Sequence, residues 1–301
     1  MKCTPDGGGW GNGDGHADYT VYFYAQFSKP LSDYGFWSAN IPDGYIRKRE
    51  EVTSDGYQEI VSKATILRKK KKVEGKHLGF FLDFPTVKEE QVTLKVGISF
   101  VDMEGARKNF EAEIKDKSFD EGVRGAESKW DDALKVIEVE TANENLKTIF
   151  YTALYHTMID PRIISDVDNR YVGGGNKIFR TDKFQKRTIF SGWDVFRSQF
   201  PLQTIINPQL VNDLLNSLIT LAEESGKEYF ERWELLNTYS GCMIGNPALS
   251  VLTDAYIKGI RDYNIEKAYQ YAVNSSKRFG TSERGYFTGV NSISETLEHS
   301  Y

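Results

Sequence analysis

The residues best suited to chemistry are concentrated in one segment, Ser191–Arg197, which reads Ser-Gly-Trp-Asp-Val-Phe-Arg. Trp193 offers an aromatic face for stacking, and Asp194 and Arg197 offer charged hydrogen-bond partners for hydroxyl groups. This combination at the head of a predicted helix is what a polyol pocket needs. The same residues fit an ordinary amphipathic helix start, since Trp and Arg often pack beside helices and Asp is common near a helix N-terminus. The segment alone leaves both interpretations open.

Two later motifs accompany this segment. Gly241–Gly245 reads Gly-Cys-Met-Ile-Gly, and Asp254–Gly259 reads Asp-Ala-Tyr-Ile-Lys-Gly. Cys242 has apolar neighbours and no nearby His in sequence that could activate it, which predicts a buried, structural thiol. Together with Ser191–Arg197, these motifs indicate parts of a sugar site on a helical scaffold.

Two other patterns resemble ligand-binding loops and lack parts of them. Asp166, Asp168 and Asn169 alternate as in a calcium loop, but the glycine and terminal Glu of an EF-hand are missing, so a turn is favoured. The glycine-rich stretch Gly7–His16 is followed by a predicted strand and by no Lys-Ser/Thr pair, which makes phosphate binding there unfavoured.

Composition excludes several classes of protein. The net charge of the 301 residues is −5, which argues against a nucleic-acid surface, and the basic run Arg68–Lys72 reads as a solvated hairpin tip. Two cysteines, Cys3 and Cys242, cannot form a disulfide framework. No apolar run reaches the roughly twenty residues of a membrane span, and the N-terminus lacks the layout of a signal peptide. The compartment stays open.

The chain changes character between residues 118 and 145. Before this stretch, runs rich in β-branched and aromatic residues predict strands of a sandwich at Tyr19–Phe27, Gly79–Phe84 and Gln91–Val101. Helical spacing from Ser118 predicts a linker helix, followed by a strand-like end at residues 137–140. The predicted organisation is a β-sandwich domain over 1–117 that lacks its first strands, a linker helix and strand over 118–145, and the first part of a helical domain over 146–301.

The second half shows helical spacing throughout. In one example, Pro208 suits the first turn, Gly226 ends the helix, and leucines at 210, 214, 218 and 221 form a core face. Antiparallel helices joined by Pro- and Gly-bearing loops predict an α/α array. The predicted helices are Asn143–Ile159, Trp193–Ile206, Gln209–Glu224, Asn246–Tyr263, Ile265–Phe279 and Ser292 onward.

These motifs occur in an order that resembles glycoside hydrolase family 92, the calcium-dependent exo-α-mannosidases. The likeness covers nearly the whole chain, and the ordered set is specific where each motif alone is weak. The motifs that carry it are Tyr22–Pro30, Glu111–Leu134, Phe150–Met158, Asp166–Tyr171, Trp193–Pro201, Cys242–Gly245, Asp254–Gly259 and Ser294–Glu298.

The resemblance implies a two-domain protein, all-β then all-α: an N-terminal β-sandwich followed by a helical (α/α)6 toroid that is incomplete in this chain. It implies an inverting exo-α-mannosidase that removes terminal mannose from glycans, with one carboxylic acid protonating the leaving oxygen and a carboxylate activating water. Calcium is implied as the cofactor that contacts mannose hydroxyls, with most ligands outside this chain. Export to the periplasm or beyond is implied for the full-length protein.

The resemblance also assigns the candidate residues. Trp193 and Asp194 match the Trp-Asp motif of the family's terminal-sugar subsite. Arg197 is expected either to clamp the same sugar or to hold Asp194 in place. Trp10 follows the family's Gly-Gly-Trp pattern, which places its indole at the pocket mouth, with a loop-anchoring role as the alternative.

The sequence departs from the family in one respect. The Glu-Gly-Asn-Ala-Trp motif of the acid and the Gly-Asn-Asp motif of the base do not occur in the 301 residues. We therefore expect no catalytic residue in this chain and no hydrolysis by it alone. The alternative function is a non-catalytic carbohydrate-binding or interaction fragment that associates through exposed helical faces.

Overall fold

The computed structural model describes residues 18–41 and 55–278, with side chains from residue 58 in the second range. The chain divides into two compact units: Ala25–Val96 is one, and the residues before it and from Gly97 onward form the other. The predicted segments around Trp10 and from Ser292 onward lie outside the described residues.

The unit Ala25–Val96 is built on a three-stranded antiparallel sheet. β2 (Asp33–Ser38) is central, between β3 (Thr65–Arg68) and β4 (Leu78–Asp83). Ser38 is paired with Thr65 on one side and with Leu78 on the other, so the end of β2 meets the starts of both neighbours. Helix α1 (Asp55–Ser62) precedes β3. The run Arg68–Lys72 is exposed as predicted, but it does not form a hairpin tip, because β3 and β4 both pair with β2 and not with each other.

Strands β1 (Tyr22–Phe27) and β5 (Leu94–Ser99) pair with each other in a two-stranded sheet. Helix α2 (Met103–Glu113) then begins at Asp102, whose carboxylate accepts a hydrogen bond from the Gly105 backbone nitrogen at 2.6 Å. This helix was not expected from the sequence.

Helix α3 (Phe119–Leu134) is the predicted linker helix. A capping box starts it, in which the Ser118 hydroxyl accepts from the Glu121 backbone nitrogen and the Glu121 carboxylate accepts from the Ser118 backbone nitrogen. The predicted strand at residues 137–140 is not present. Instead, the Tyr151 hydroxyl of α4 (Glu144–His156) accepts from the Val139 nitrogen and donates to the Ile137 carbonyl, so these backbone groups are satisfied without a partner strand.

Four helices form the main core of the larger unit. They are α6 (Gln199–Ile206), α7 (Pro208–Glu224), α8 (Pro247–Ile257) and α9 (Ile265–Arg278). The predicted leucine face of α7 is buried, with Leu214 and Leu218 among its members. The core also contains Phe200, Val251 and Tyr271 from the other three helices.

Two of the predicted helices differ from expectation. The helix predicted over 193–206 is interrupted, so that α5 (Gly192–Val195) and α6 are separate. The one predicted over 246–263 ends at Ile257, where Gly259 takes a positive φ of 90° and turns the chain.

Short strands lie between the helices and position the loops. β6 (Arg162–Ile163) pairs with β9 (Arg187–Thr188), and β7 (Arg170–Val172) pairs with β8 (Ile178–Arg180). β10 (Phe190–Ser191), β11 (Trp233–Leu235) and β12 (Thr238–Tyr239) form a three-stranded antiparallel sheet. A strand-rich first part and a helix-rich second part are thus confirmed. Within residues 18–41 and 55–278, no helix is long and apolar enough to cross a membrane.

Candidate functional site

The candidate sugar-binding residues directly follow a strand of the three-stranded sheet β10–β11–β12, which we call the small sheet. β10 ends at Ser191, paired with Trp233 of β11, and α5 begins at Gly192. The Gly192 nitrogen donates to the carbonyl of Arg232 at 3.1 Å, which ties the start of α5 to the residue just before β11. Trp193 and Asp194 are therefore placed by a strand pair and not by a long helix.

Position 192 requires glycine because the neighbouring atoms leave no room for a side chain. A Cβ at this position would lie 2.5 Å from the Arg232 carbonyl oxygen and 2.7 Å from both Phe190 Cε1 and Pro247 Cγ. These distances are shorter than carbon contacts allow, so a side chain would push the segment away from β11 or from the start of α8. The glycine in the Ser-Gly-Trp-Asp motif thus sets the close approach of three elements.

Three predicted site residues come together. The Arg197 guanidinium carbon lies 4.4 Å from the centre of the Trp193 ring and 4.9 Å from that of Phe196. The Ser191 hydroxyl donates to Asp194 Oδ2, and Asp194 is exposed to solvent. Among the described residues, the buried Trp193 Nε1 has no hydrogen-bond partner. The cluster therefore offers a carboxylate open to a ligand beside an indole that is already covered on one face.

A buried carboxylate supports the loop next to this cluster. Glu231 Oε1 accepts from the Gly241 nitrogen at 3.0 Å and from the Trp233 nitrogen at 3.2 Å, and Arg232 Nη2 donates to the Gly241 carbonyl at 3.2 Å. Burial raises the pKa of Glu231, although these backbone donors act against the increase. The backbone nitrogen and carbonyl of Gly241 are thus both held by side chains of the two residues that precede β11, one of which, Arg232, also contacts Gly192.

Cys242, the residue after Gly241 in this loop, is buried, as predicted for a structural thiol. Its backbone nitrogen donates to the Ser240 hydroxyl at 3.1 Å. This hydrogen bond also helps to hold the loop that starts at Gly241 in place.

A second buried carboxylate organises the other end of the small sheet. Glu234 accepts from the Thr188 hydroxyl at 2.8 Å, from the Ile189 nitrogen at 2.9 Å and from the Asn237 nitrogen at 2.6 Å. Burial raises the pKa of Glu234. Burial lowers the pKa of Lys186, whose ammonium donates to the Ser217 carbonyl at 2.9 Å.

Sequence reasoning missed Glu231, Glu234 and Lys186 as supporting residues. Glu234 lies within a strand of three residues, and Glu231 and Lys186 lie just before strands of three and two residues, where no alternation distinguishes a buried charge from an exposed one. Such residues become visible only when their hydrogen-bond partners are known.

The acidic stretch at Asp166 is a turn, as the sequence favoured. The Asn169 nitrogen donates to the Asp166 carbonyl at 2.9 Å, and Asn169 has a φ of 64°. The Asp166 carboxylate accepts from Ser99 and Asn109, while Asp168 pairs with Lys108 and Arg170. These carboxylates are engaged within the protein, and no group of three or more His, Cys, Asp or Glu in the described part of the chain could hold a metal ion.

The larger unit also contains a cavity of about 250 Å³. Its lining combines aromatic and aliphatic side chains with two amides, a carboxylate and a threonine hydroxyl, and Trp193, Asp194 and Arg197 are not part of it. The Asn237 side chain, which lines the cavity, donates to the Val172 carbonyl at 2.8 Å. Trp193, Asp194 and Arg197 therefore come together outside this cavity. Trp10, the fourth predicted site residue, lies outside the described residues.

Comparison with protein-family models matches both parts of the chain. Residues 3–99 match the Glycosyl hydrolase family 92 N-terminal domain, and residues 105–301 match the Glycosyl hydrolase family 92 catalytic domain. A search of curated protein sequences finds no significant match.

Solved structures give the same result. The chain is similar to the family GH92 α-mannosidase BT3965 from Bacteroides thetaiotaomicron, with 26% identity over 94% of this chain and a TM-score of 0.75. That protein has also been solved in complex with mannoimidazole, with the same identity, coverage and TM-score. The inverting mannosidase BT2199 from the same organism shares the fold, with 24% identity over 94% of this chain and a TM-score of 0.78.

The class of protein that these matches define is a glycoside hydrolase with mannosidase homologues. The chain belongs to glycosyl hydrolase family 92. It spans 36% of the length of the first of these solved proteins and 37% of the length of BT2199.

Proposed function

We propose that the chain is part of an exo-α-mannosidase that removes terminal mannose from glycans, and that Trp193, Asp194 and Arg197 belong to its terminal-sugar subsite. Family membership and the likeness to an α-mannosidase over 94% of the chain support the activity. The observation that carries the assignment of the subsite is the exposed Asp194 carboxylate beside the Trp193–Arg197 stack.

We assign each of the three residues a distinct task. Asp194 Oδ2 accepts from Ser191, which orients the carboxylate so that it can accept hydrogen bonds from sugar hydroxyls. Arg197 covers one face of the Trp193 ring, so a sugar contacts the indole at its other face or edge. In this proposal Arg197 holds the indole in place by stacking and does not primarily clamp the sugar.

The proposed reaction is single displacement with inversion, which requires an acid and a base on opposite sides of the scissile bond. The motifs expected for both are missing from the 301 residues, so this chain is proposed to bind mannosides without hydrolysing them. Calcium dependence is proposed for the whole protein. The described residues do not form a calcium site, so no step is assigned to the ion through them.

The finer architecture is proposed on the same grounds. A β-sandwich would comprise the strand-rich part, and α3 to α9 would form part of an (α/α)6 toroid. Trp10 would lie at the mouth of the sugar pocket.

Mannoimidazole binding to the purified 301-residue chain tests the subsite, measured by calorimetry and by tryptophan fluorescence. Asp194→Asn should weaken binding roughly tenfold, because a charged acceptor is replaced by a weaker neutral one. The matched control is Asp182→Asn, which changes an exposed aspartate elsewhere in the same unit. Equal affinity of the Asp194 variant and the unmodified chain would remove Asp194 from the subsite.

Release of mannose from an α-mannobiose tests the proposed lack of turnover. No mannose should appear with calcium present or after chelation. Calcium-dependent release would show that the chain contains its own acid and base.

An interaction role is the second candidate function. Phe119, Leu146 and Ile149, on α3 and α4, are 70%, 57% and 64% exposed. Exposed apolar side chains of this size favour association with another surface. Mannoside binding without turnover would be compatible with this role as well.

A further inference from the structure

The cavity of about 250 Å³ in the larger unit has a buried inner part and an open mouth. Val101 and Ile164, which line it, are 4% and 5% exposed. Ile178 is 53% exposed, and the lining residues Asp18 and Asn176 are also exposed, so these three lie at the mouth. Asn176 Nδ2 donates to Asp18 Oδ2 at 3.2 Å, which joins two segments far apart in sequence. All of the lining residues belong to the larger unit.

Aromatic side chains form one part of the lining. Tyr19, Tyr22 and Phe100 all line the cavity. The rings of Tyr19 and Phe100 contact each other edge to face, with their centroids 6.3 Å apart, so each ring helps to order the other. Aromatic rings provide apolar surface against which the C–H groups of a small ring can pack.

The tip of the β11–β12 hairpin forms another part of the lining. Leu236 and Asn237 connect the two strands, and both line the cavity. Their φ angles are 46° and 67°, and two successive positive φ angles are typical of a type I′ turn, which favours Asn and Gly. A leucine in this conformation costs roughly 1–2 kcal/mol. The tip must therefore be held by its surroundings.

Three hydrogen bonds hold this tip in place. The Leu236 nitrogen donates to the Thr188 hydroxyl at 2.7 Å, and the Asn237 nitrogen donates to Glu234 Oε1 at 2.6 Å. Asn237 Nδ2 donates to the Val172 carbonyl at 2.8 Å. Backbone strain that is fixed in this way is typical of binding sites, because it keeps the wall of the site in one shape before a ligand arrives. This wall of the cavity is therefore preformed.

The chemistry of the lining distinguishes between classes of ligand. No Lys, Arg or His is among the described lining residues, so an anion would find no cationic partner there. Asp18 is the one carboxylate among them, and it is exposed, so water and salt screen its attraction for a cation. A purely apolar ligand would take water from Thr20 and Asn176 without replacing its hydrogen bonds. A neutral ring with several hydroxyl groups meets both needs, because its hydroxyls donate and accept while its C–H groups are apolar.

We propose that this cavity binds one neutral sugar ring, at a site separate from the cluster at Trp193. Its volume of about 250 Å³ lies below the roughly 300–1,000 Å³ that is typical of pockets for larger small molecules, so it suits a single ring and not an oligosaccharide. Thr20 and Asn176 are its polar partners, and the aromatic side chains provide the apolar contact. This site goes beyond the proposed subsite and does not depend on it.

The test is binding of methyl α-mannopyranoside to the full 301-residue chain and to its Asp194→Asn variant, measured by backbone amide hydrogen exchange. A ligand that binds only the closed, folded form makes local opening rarer and slows exchange. Exchange should slow over residues 172–178 and 234–239, equally in both proteins. Cyclohexanol, a six-membered ring with a single hydroxyl group, should cause no slowing at the same concentration. Exchange over residues 191–197 reports on the proposed subsite, so the two sites can fail separately.

Two variants change the mouth of the cavity, and each has a matched control. Ile178→Trp fills the mouth and should abolish the slowing, whereas Ile163→Trp changes an isoleucine that is 47% exposed on another short strand and does not line the cavity. Asn176→Gly removes an amide at a φ of 57°, which glycine tolerates, and should weaken binding roughly fivefold. Its control is Asn169→Gly, an exposed asparagine with a φ of 64° that does not line the cavity. If the tryptophan variant does not fold, the glycine pair still tests the site.

Three outcomes would overturn the proposal. One is unchanged exchange over residues 172–178 and 234–239 when the sugar is added to the unmodified chain. Another is equal slowing by cyclohexanol, which would show that the cavity takes apolar rings without reading their hydroxyl groups. The third is unchanged binding in the folded mouth variants, or an equal loss in their controls, which would place the sugar outside the cavity.

Discussion

At the scale of single residues, the Trp193 indole is held in place before any ligand binds. Arg197 stacks on its face, an interaction worth about 0.5–2 kcal/mol depending on exposure. A side chain that is already ordered loses little rotamer freedom on binding, which lowers the cost of ligand association. The Ser191 hydroxyl has the same effect on Asp194.

Gly192→Ala tests the close approach behind this cluster. The added methyl would meet the Arg232 carbonyl oxygen at 2.5 Å, so we expect a loss of about 1–3 kcal/mol in the free energy of unfolding. Urea denaturation measures it. Gly122→Ala in α3 is the control, because nothing lies within 4 Å of its added Cβ, and it should not destabilise the chain. Equal stability of the two variants would contradict the crowding.

Arg170→Gln tests the ion pairs at the start of α2. Arg170 donates to Asp102 Oδ2 at 2.7 Å and lowers the pKa of that carboxyl. A lowered pKa in the folded state stabilises the fold above the unfolded pKa of about 4, and this contribution is lost as the pH falls through the folded value. The variant should therefore be less stable than the unmodified chain at neutral pH and approach it below about pH 4.

Melting temperatures measured across this pH range check the prediction for Arg170. Arg162→Gln, which breaks a more exposed pair with Asp160, should show a smaller difference at neutral pH. A difference for Arg170→Gln that does not change with pH would point to packing instead of charge.

At the scale of secondary-structure elements, the stability of helix α3 depends on the capping of its ends. None of its residues is buried, so tertiary packing contributes little to its stability. The capping box at Ser118 and Glu121 satisfies donors that a helix start leaves unpaired, and Asp120 and Glu121 are favourable near the positive end of the helix.

Ser118→Ala should therefore destabilise α3 locally, by about 1 kcal/mol. Amide hydrogen exchange should become faster across the first turns of α3 and unchanged in the buried α7. Ser118→Asp retains a good N-cap and should restore slow exchange. Unchanged exchange in Ser118→Ala would mean that contacts outside the helix hold it.

The whole chain leaves several large apolar side chains in water. Phe119 and Ile149 are exposed on α3 and α4, and Ile205 and Ile257 are 73% and 72% exposed at the ends of α6 and α8. Burying apolar surface is worth about 25 cal/mol per Å², so covering such groups with another surface is favourable.

Self-association that increases with protein concentration is the expected result, measured by sedimentation velocity. Phe119→Asp with Ile149→Asp should shift the chain toward the monomer, because a charged group on the contact surface must be desolvated. Val87→Asp is the control, since Val87 is 75% exposed and lies in the other unit. A monomer at all concentrations would contradict the prediction.

Much of the architecture could be predicted because it follows from local patterns. The leucine period placed α7, Pro208 and Gly226 marked its ends, and aromatic and β-branched runs located β1, β4 and β5. β2 and β3 were missed, because short strands carry weak periodicity, and the 11-residue helix α2 was missed as well. The predicted strand at residues 137–140 was wrong, since Tyr151 satisfies that backbone through a contact with no sequence signal.

The sequence by itself determined the family, the order of strands before helices, and the grouping of Trp193, Asp194 and Arg197, because these depend on residue types at short spacing. Only the tertiary structure decided that α5 leaves a strand pair and that Glu231 and Glu234 hold the loops beside it. The physical reason is that burial and hydrogen bonding between residues far apart in sequence depend on how the strands pair. A one-dimensional pattern does not contain that pairing.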